Sequence, residues 1–156
     1  MPAYNAIMNA LELNPSIVLD LAEEFEAGRR GERMRPDKWS ASEHIAHLAR
    51  TERAMRDRLL FMLDEPDSPI VPYNPQSDDE ATLIDEDWDE SLTRYQWGRA
   101  DIVGRLLTLD PPTWERPHTH PEYTRYSIRH MARHLALHDL THASRIEELL
   151  LAVRQK

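Results

Sequence analysis

The chain has 156 residues, with 19 Lys plus Arg against 28 Asp plus Glu and a net charge of −9, so its length suits one domain and phosphate-backbone binding has no electrostatic support. It contains no cysteine, which excludes thiol nucleophiles, disulfides and thiolate metal sites and leaves His and carboxylates to hold any metal. Mean hydropathy is −0.67, no apolar run approaches membrane-spanning length, and Met1-Pro2-Ala3-Tyr4-Asn5 lacks the basic start and apolar core of a signal peptide. The expectation is a cytoplasmic protein, a single domain over residues 1–156, with neither nucleic acid nor membrane as a partner.

Asn14-Pro15 reads as an N-cap followed by proline at the first helical position, leading into Val18, Leu21, Ala22 and Phe25 on one face and a stop near Gly28. The residues before Asn14 are expected to add a short extra helix. Ser40-Ala41-Ser42-Glu43 is a capping-box pattern that opens helix two, which should run to about Leu63. The stretch from Asp64 to Glu90 then holds 11 acidic residues and no Lys or Arg, so the negative charge of the chain is local. Pro66, Pro69, Pro72 and Pro75 lack backbone donors and restrict their predecessors, which makes its first half an extended connection, with helix resuming near Asp78. The acidic run reads as a solvated connection entering a helix N-terminus.

Ile84, Trp88, Leu92, Tyr95, Ile102, Leu106 and Leu109 recur at three- and four-residue spacing and mark helix three. Pro111, Pro112, Pro117 and Pro121 make Asp110 to Tyr123 too proline-dense for any helix. Helix four runs from Ser127 to about Val153. No period-two pattern of useful length occurs, and four amphipathic helices can bury their stripes only against one another, so the fold class is all-α, a four-helix bundle.

Eight histidines scattered at random would give roughly 0.4 pairs at i, i+4. The sequence has three: His130/His134, His134/His138 and His138/His142. The apolar stripe Ile128, Met131, Leu135, Ile146, Leu149 and Val153 separates them, because its rhythm lands on His138 and His142 and turns both inward. His134 is expected at the boundary and His130 in solvent. A single inward His is more often a satisfied core residue than a ligand, but two in adjacent turns are expensive to bury without a shared partner, and a metal ion is such a partner. Helix two offers a third ligand in His44 or His47; periodicity slightly favours His44 and excludes neither.

Trp39-Ser40, Glu43, His47-Leu48 and, far downstream, His138-Asp139 and His142 together resemble the DinB/YfiT-like family of metal-dependent enzymes, which is distinct from the DNA polymerase sharing the DinB name. The resemblance covers nearly the whole chain. It implies an up-down-down-up bundle, often a homodimer, with one divalent ion held by three histidines and completed by water. The ligands it implies here are His47, His138 and His142. Relatives include S-transferases that use low-molecular-weight bacterial thiols, and thiol-dependent isomerases. The usual Gln after the final His is replaced, since Ala143-Ser144-Arg145 follows His142.

Three imidazoles with open positions make a catalytic rather than a structural kind of metal site, and zinc, nickel and ferrous iron all suit such ligands. The ion would acidify a water for hydrolysis or hold a substrate thiolate for transfer, so the expected activity is metal-dependent hydrolysis or thiol S-transfer on a small molecule. The alternatives are a non-catalytic metal-binding or dimerisation bundle, or a metal-free buried His pair that titrates as a pH switch. Asp139 imitates the general base of an H-E-x-x-H motif, but it is a methylene shorter than Glu and only 14 residues follow His142, so a capping or ligand-orienting role is preferred. Glu52 reads as a boundary residue that could act as a base. His118 and His120 read as solvated loop, with a second metal site or a substrate lip as the competing readings. Trp39, Trp88, Trp97 and Trp114 read as packing anchors.

Overall fold

The structure, a computed structural model, describes residues 2–72 and 80–154. Five α-helices follow in chain order: α1 (Pro2–Glu23), α2 (Ala41–Asp64), α3 (Trp88–Leu106), α4 (Pro111–Glu115) and α5 (Ile128–Arg154). Short 3₁₀ segments cover Ala27–Arg29 and Glu80–Asp85. Among the described residues there is no strand, and no helix is long and apolar enough to cross a membrane. The four long helices form the expected bundle, with α4 outside the set.

The buried side chains fall into two apolar clusters, and these give the direction of each helix. One cluster gathers Leu11 of α1, Leu59 and Met62 of α2, Ile102 and Leu106 of α3, and Ile128 and Met131 of α5. The other gathers Val18 and Ala22, Ile45 and Leu48, Trp88 and Tyr95, and Ile146 and Leu149 from the same helices. Thus α1 and α5 run from the first cluster to the second while α2 and α3 run back, an up-down-down-up order. Because α2 and α3 are parallel neighbours, the chain between them must climb back along a helix of 24 residues, roughly 36 Å. The proline-rich acidic stretch makes this crossover. Its entry is not extended throughout: it turns at residues 66–68, where the Ser68 amide donates to the Glu65 carbonyl at 3.1 Å, and it is then fastened where the Ile70 amide donates to the Thr119 carbonyl at 2.9 Å.

Several local expectations are revised. Asn14 caps nothing: α1 is continuous from Pro2, so there is no separate N-terminal helix, and Pro15 lies inside it. A proline within a helix supplies no N–H to the carbonyl four residues back, here that of Leu11. That carbonyl instead accepts from Arg99 Nη1 at 3.1 Å, and Asn14 Nδ2 donates to the Ala136 carbonyl at 2.9 Å. Tertiary partners therefore outweigh the cap signal. The helix ends at Glu23, and Gly28 sits in the 3₁₀ turn beyond.

The predicted resumption at Asp78, like Pro75, lies outside the described residues. Ile84 falls in a 3₁₀ segment and is exposed; α3 opens at Trp88, where the Asp87 side chain accepts from the Glu90 amide at 2.8 Å, and it stops at Leu106 rather than Leu109. The loop read as too proline-dense for helix contains α4, because Pro111 and Pro112 occupy the first turn, where a missing N–H costs nothing, and Asp110 caps it through the Thr113 amide at 3.0 Å. Trp114 of α4 stacks on Tyr4 with ring centroids 4.6 Å apart, which fastens this turn to α1.

Candidate metal centre

The capping box read at Ser40 is present and aims the start of α2. The Glu43 amide donates to Ser40 Oγ, the Ser40 amide donates to Glu43 Oε2 at 2.8 Å, and Arg33 pairs with the same carboxylate. One turn on, His44 and His47 project from α2 toward His138 and His142 of α5. His47 Nε2 stands 3.0 Å from His138 Nε2, which stands 3.1 Å from His142 Nε2. Ligand atoms of all three residues lie within 4.8 Å of one another, with His142 buried and the other two half-buried. His44, the other candidate, is placed behind this group: its Nδ1 meets His142 Nδ1 at 2.8 Å.

Trp39 packs against these rings, its centroid 4.9 Å from that of His47 and 6.1 Å from that of His142, the latter nearly parallel. Burial, reinforced by the neighbouring imidazoles, pushes His138 down to about 3, and His142 lower still. Burial likewise takes His44 down to about 4. These rings are neutral at ordinary pH, the form whose lone pair can bind a cation.

The cluster fits a divalent ion. Nitrogens that share an ion at about 2.0–2.1 Å stand about 3 Å from one another, the spacing seen on both sides of His138. An imidazole nitrogen carries one hydrogen or one lone pair, so His138 Nε2 cannot satisfy both neighbours by hydrogen bonding alone. A cation accepts all three lone pairs.

Beneath the histidines lies a polar layer that the sequence reading did not assemble. Arg99 of α3 donates from Nη1 to Asp139 Oδ2 at 2.6 Å, from Nη2 to Asp139 Oδ1 at 2.9 Å, and from Nε to Glu52 Oε2 at 3.2 Å. Tyr95 donates its hydroxyl to Asp139 Oδ1 at 3.0 Å. Glu52 is therefore a core residue, not a boundary one, and Asp139 orients Arg99 and Tyr95 rather than a ligand imidazole. A signal existed in the sequence: Arg99 falls on the stripe between Tyr95 and Ile102, where a charge needs a buried counter-charge.

Other placements correct the reading further. His134 is exposed, whereas His130 is half-buried with Nδ1 2.8 Å from Ser127 Oγ. His118 and His120 are buried rather than solvated. His120 lines a cleft of about 240 Å³ together with His47, Thr51, His134 and His138. Trp39 and Trp114 pack as expected and Trp88 is buried, but Trp97 is 75% exposed.

The fold is a helical bundle in which a helix pair presents a histidine cluster, with a donor set that suits a divalent ion, over a buried ionic layer. The chain belongs to the DinB superfamily, whose sequence profile matches residues 10–146. Its backbone is similar to that of YfiT from Bacillus subtilis, described as a probable metal-dependent hydrolase with an unusual four-helix bundle topology, with a TM-score of 0.81 at 21% identity over 93% of this chain and 84% of that one. No curated protein sequence matches the chain.

Proposed function

We propose that the protein is a metal-dependent enzyme in which His47, His138 and His142 hold one divalent ion, zinc, nickel or iron, and that it acts on a small molecule by hydrolysis or thiol S-transfer. The observation that carries this reading is the pair of Nε2 separations of 3.0 and 3.1 Å that join the imidazoles of His47, His138 and His142. When bound, the ion supplies a positive charge that acidifies a water or a thiol and polarises an electrophile. His47 and His138 turn toward the 240 Å³ cleft, which admits substrate. His44 holds the His142 ring so that its Nε2, not its Nδ1, meets His138 Nε2. On the opposite side Trp39 packs against the rings of His47 and His142. Hydrolysis gains support from the description of YfiT, and S-transfer of a low-molecular-weight thiol to an electrophile from the resemblance to family thiol transferases. A cytoplasmic homodimer is part of the proposal, and sedimentation of purified protein checks the oligomer.

Metal analysis of purified protein tests the reading: about one ion per chain is expected in the wild type, with loss in His47→Ala, His138→Ala and His142→Ala. Unchanged stoichiometry in all three variants overturns it. Ester or amide cleavage against thiol-dependent loss of an electrophile then separates the two chemistries. A sharp fall in melting temperature on chelation, without turnover of either substrate type, favours the non-catalytic metal-binding bundle.

A further inference from the structure

The cleft beside His47 and His138 continues into a second concavity of about 280 Å³, the two sharing Arg58, Tyr123 and His134 as walls, and the outer part adds Arg125 and Arg133. In a chain of net charge −9 this groove is cationic: among the described residues that line it, Glu122 is the one acid. Among the described residues, none of the three guanidinium groups has a carboxylate partner. Arg58 is held instead by neutral groups, Nη1 donating to the Tyr126 hydroxyl at 3.2 Å and Nη2 to the Val71 carbonyl at 3.4 Å. Its guanidinium lies 6.0 Å from the Tyr126 ring centroid. These contacts aim a charge without neutralising it.

The uncompensated field is felt nearby. His120 is lowered by burial and then by Arg58, with Glu122 opposing, and His130 by burial and then by Arg129, Arg133 and Arg125, with Glu115, the ion-pair partner of Arg129, opposing. The cleft on the other side, about 510 Å³ beside Trp39 and His142, contrasts with it, because Arg35 pairs with Asp37 and Arg145 with Glu148.

We propose that this groove is the substrate channel and that it selects small molecules carrying a carboxylate remote from the reacting group, with Arg58 as the specificity-determining residue at the junction and Arg125 and Arg133 guiding entry. The inference rests on the metal-site reading, since His47 and His138 mark the reacting end. It names the chemical class of substrate, an organic acid, where the site alone leaves that open.

The test is binding of succinate against its uncharged analogue succinamide, followed by NMR on the intact protein with and without added zinc. Succinate should shift Arg58 and Tyr123 resonances and bind at least about tenfold more tightly than succinamide. Arg58→Met should bring the two within about twofold, and Arg58→Lys should restore part of the difference through its point charge. The exposed double variant Arg125→Met/Arg133→Met, which leaves the core intact, should weaken succinate severalfold, and all variants should keep their zinc content. Equal binding of the two probes by the wild type, or a preference that survives Arg58→Met, overturns the inference. Discrimination by a protein that binds no zinc would uphold the groove and remove the metal reading.

Discussion

His44 and His142 face each other through their Nδ1 atoms at 2.8 Å, an arrangement that leaves Nε2 of His142 for His138. One of the two nitrogens must donate and the other accept, so the contact sets the tautomer as well as the tilt of His142. Removing the partner of a ligand imidazole typically weakens metal binding about 10–100-fold. His44→Phe, which keeps an aromatic ring against Trp39, should therefore still bind one ion but within that weaker range, whereas His142→Ala should bind none. Competition with a chromogenic chelator measures both. Unaltered affinity in His44→Phe would show that the contact positions nothing.

Arg99 is the single cation between two buried carboxylates. Deleting one partner of a buried ionic cluster costs about 3–5 kcal/mol, so Arg99→Met should lose stability on that scale in urea unfolding. The penalty should depend on pH. Burial raises Glu52 to about 7, Arg99 opposes the rise and Asp139 adds to it. An acid whose folded value lies above its unfolded value of 4.5 holds its proton better in the folded state, so its contribution falls as pH rises from 4.5 toward 7. Without Arg99 the Glu52 carboxyl is harder still to ionise, and the deficit of Arg99→Met should be larger at pH 8 than at pH 6.

Glu43 gives the opposite sign. Burial raises it, but Arg33 together with the Ser40 amide and hydroxyl outweighs burial and leaves it below its usual 4.5. Its stabilising contribution is therefore complete above 4.5 and is lost as pH falls through the lower folded value. Thermal unfolding between pH 3 and pH 7 should show Glu43→Gln less stable than wild type at neutral pH, with the two curves converging at the acid end. Ser40→Ala should cost about 1 kcal/mol.

Gly98 marks a close approach of α3 to α2. A Cβ built there would lie 2.6 Å from the Glu52 Cβ, a clash against the stem of a fully buried residue. Replacing glycine by alanine within a helix ordinarily gains up to about 1 kcal/mol. Here overpacking of about 1–3 kcal/mol should prevail, and Gly98→Ala should melt lower than wild type. A higher melting temperature would mean that the two helices can separate at no cost.

Much of the architecture was legible in the chain because helices follow local rules. Capping boxes and three-four periodicity placed α2 within a residue or two and α5 nearly as well, and the acidic proline-rich stretch was recognisable as a connection. The errors share one cause. Asn14-Pro15 carries a strong local signal for a helix start, yet the interior of the bundle uses both residues differently: Asn14 binds the Ala136 carbonyl, and the Leu11 carbonyl that Pro15 leaves unbonded takes Arg99. Likewise Pro111 and Pro112 looked like helix breakers until Asp110 supplied a cap and Trp114 a packing partner.

The sequence by itself determined the all-helical class, the inward turn of His138 and His142 and, through family resemblance, His47 as their companion. These depend on spacing along one helix or on a short motif. Only the tertiary structure decided that His44 stands behind His142, that Glu52 and Asp139 share Arg99, and that His120 and Arg58 border the cleft. Each of those relationships joins side chains from different helices or from a loop, and the angle and register at which such elements meet are set by packing of the whole core, which no local pattern records.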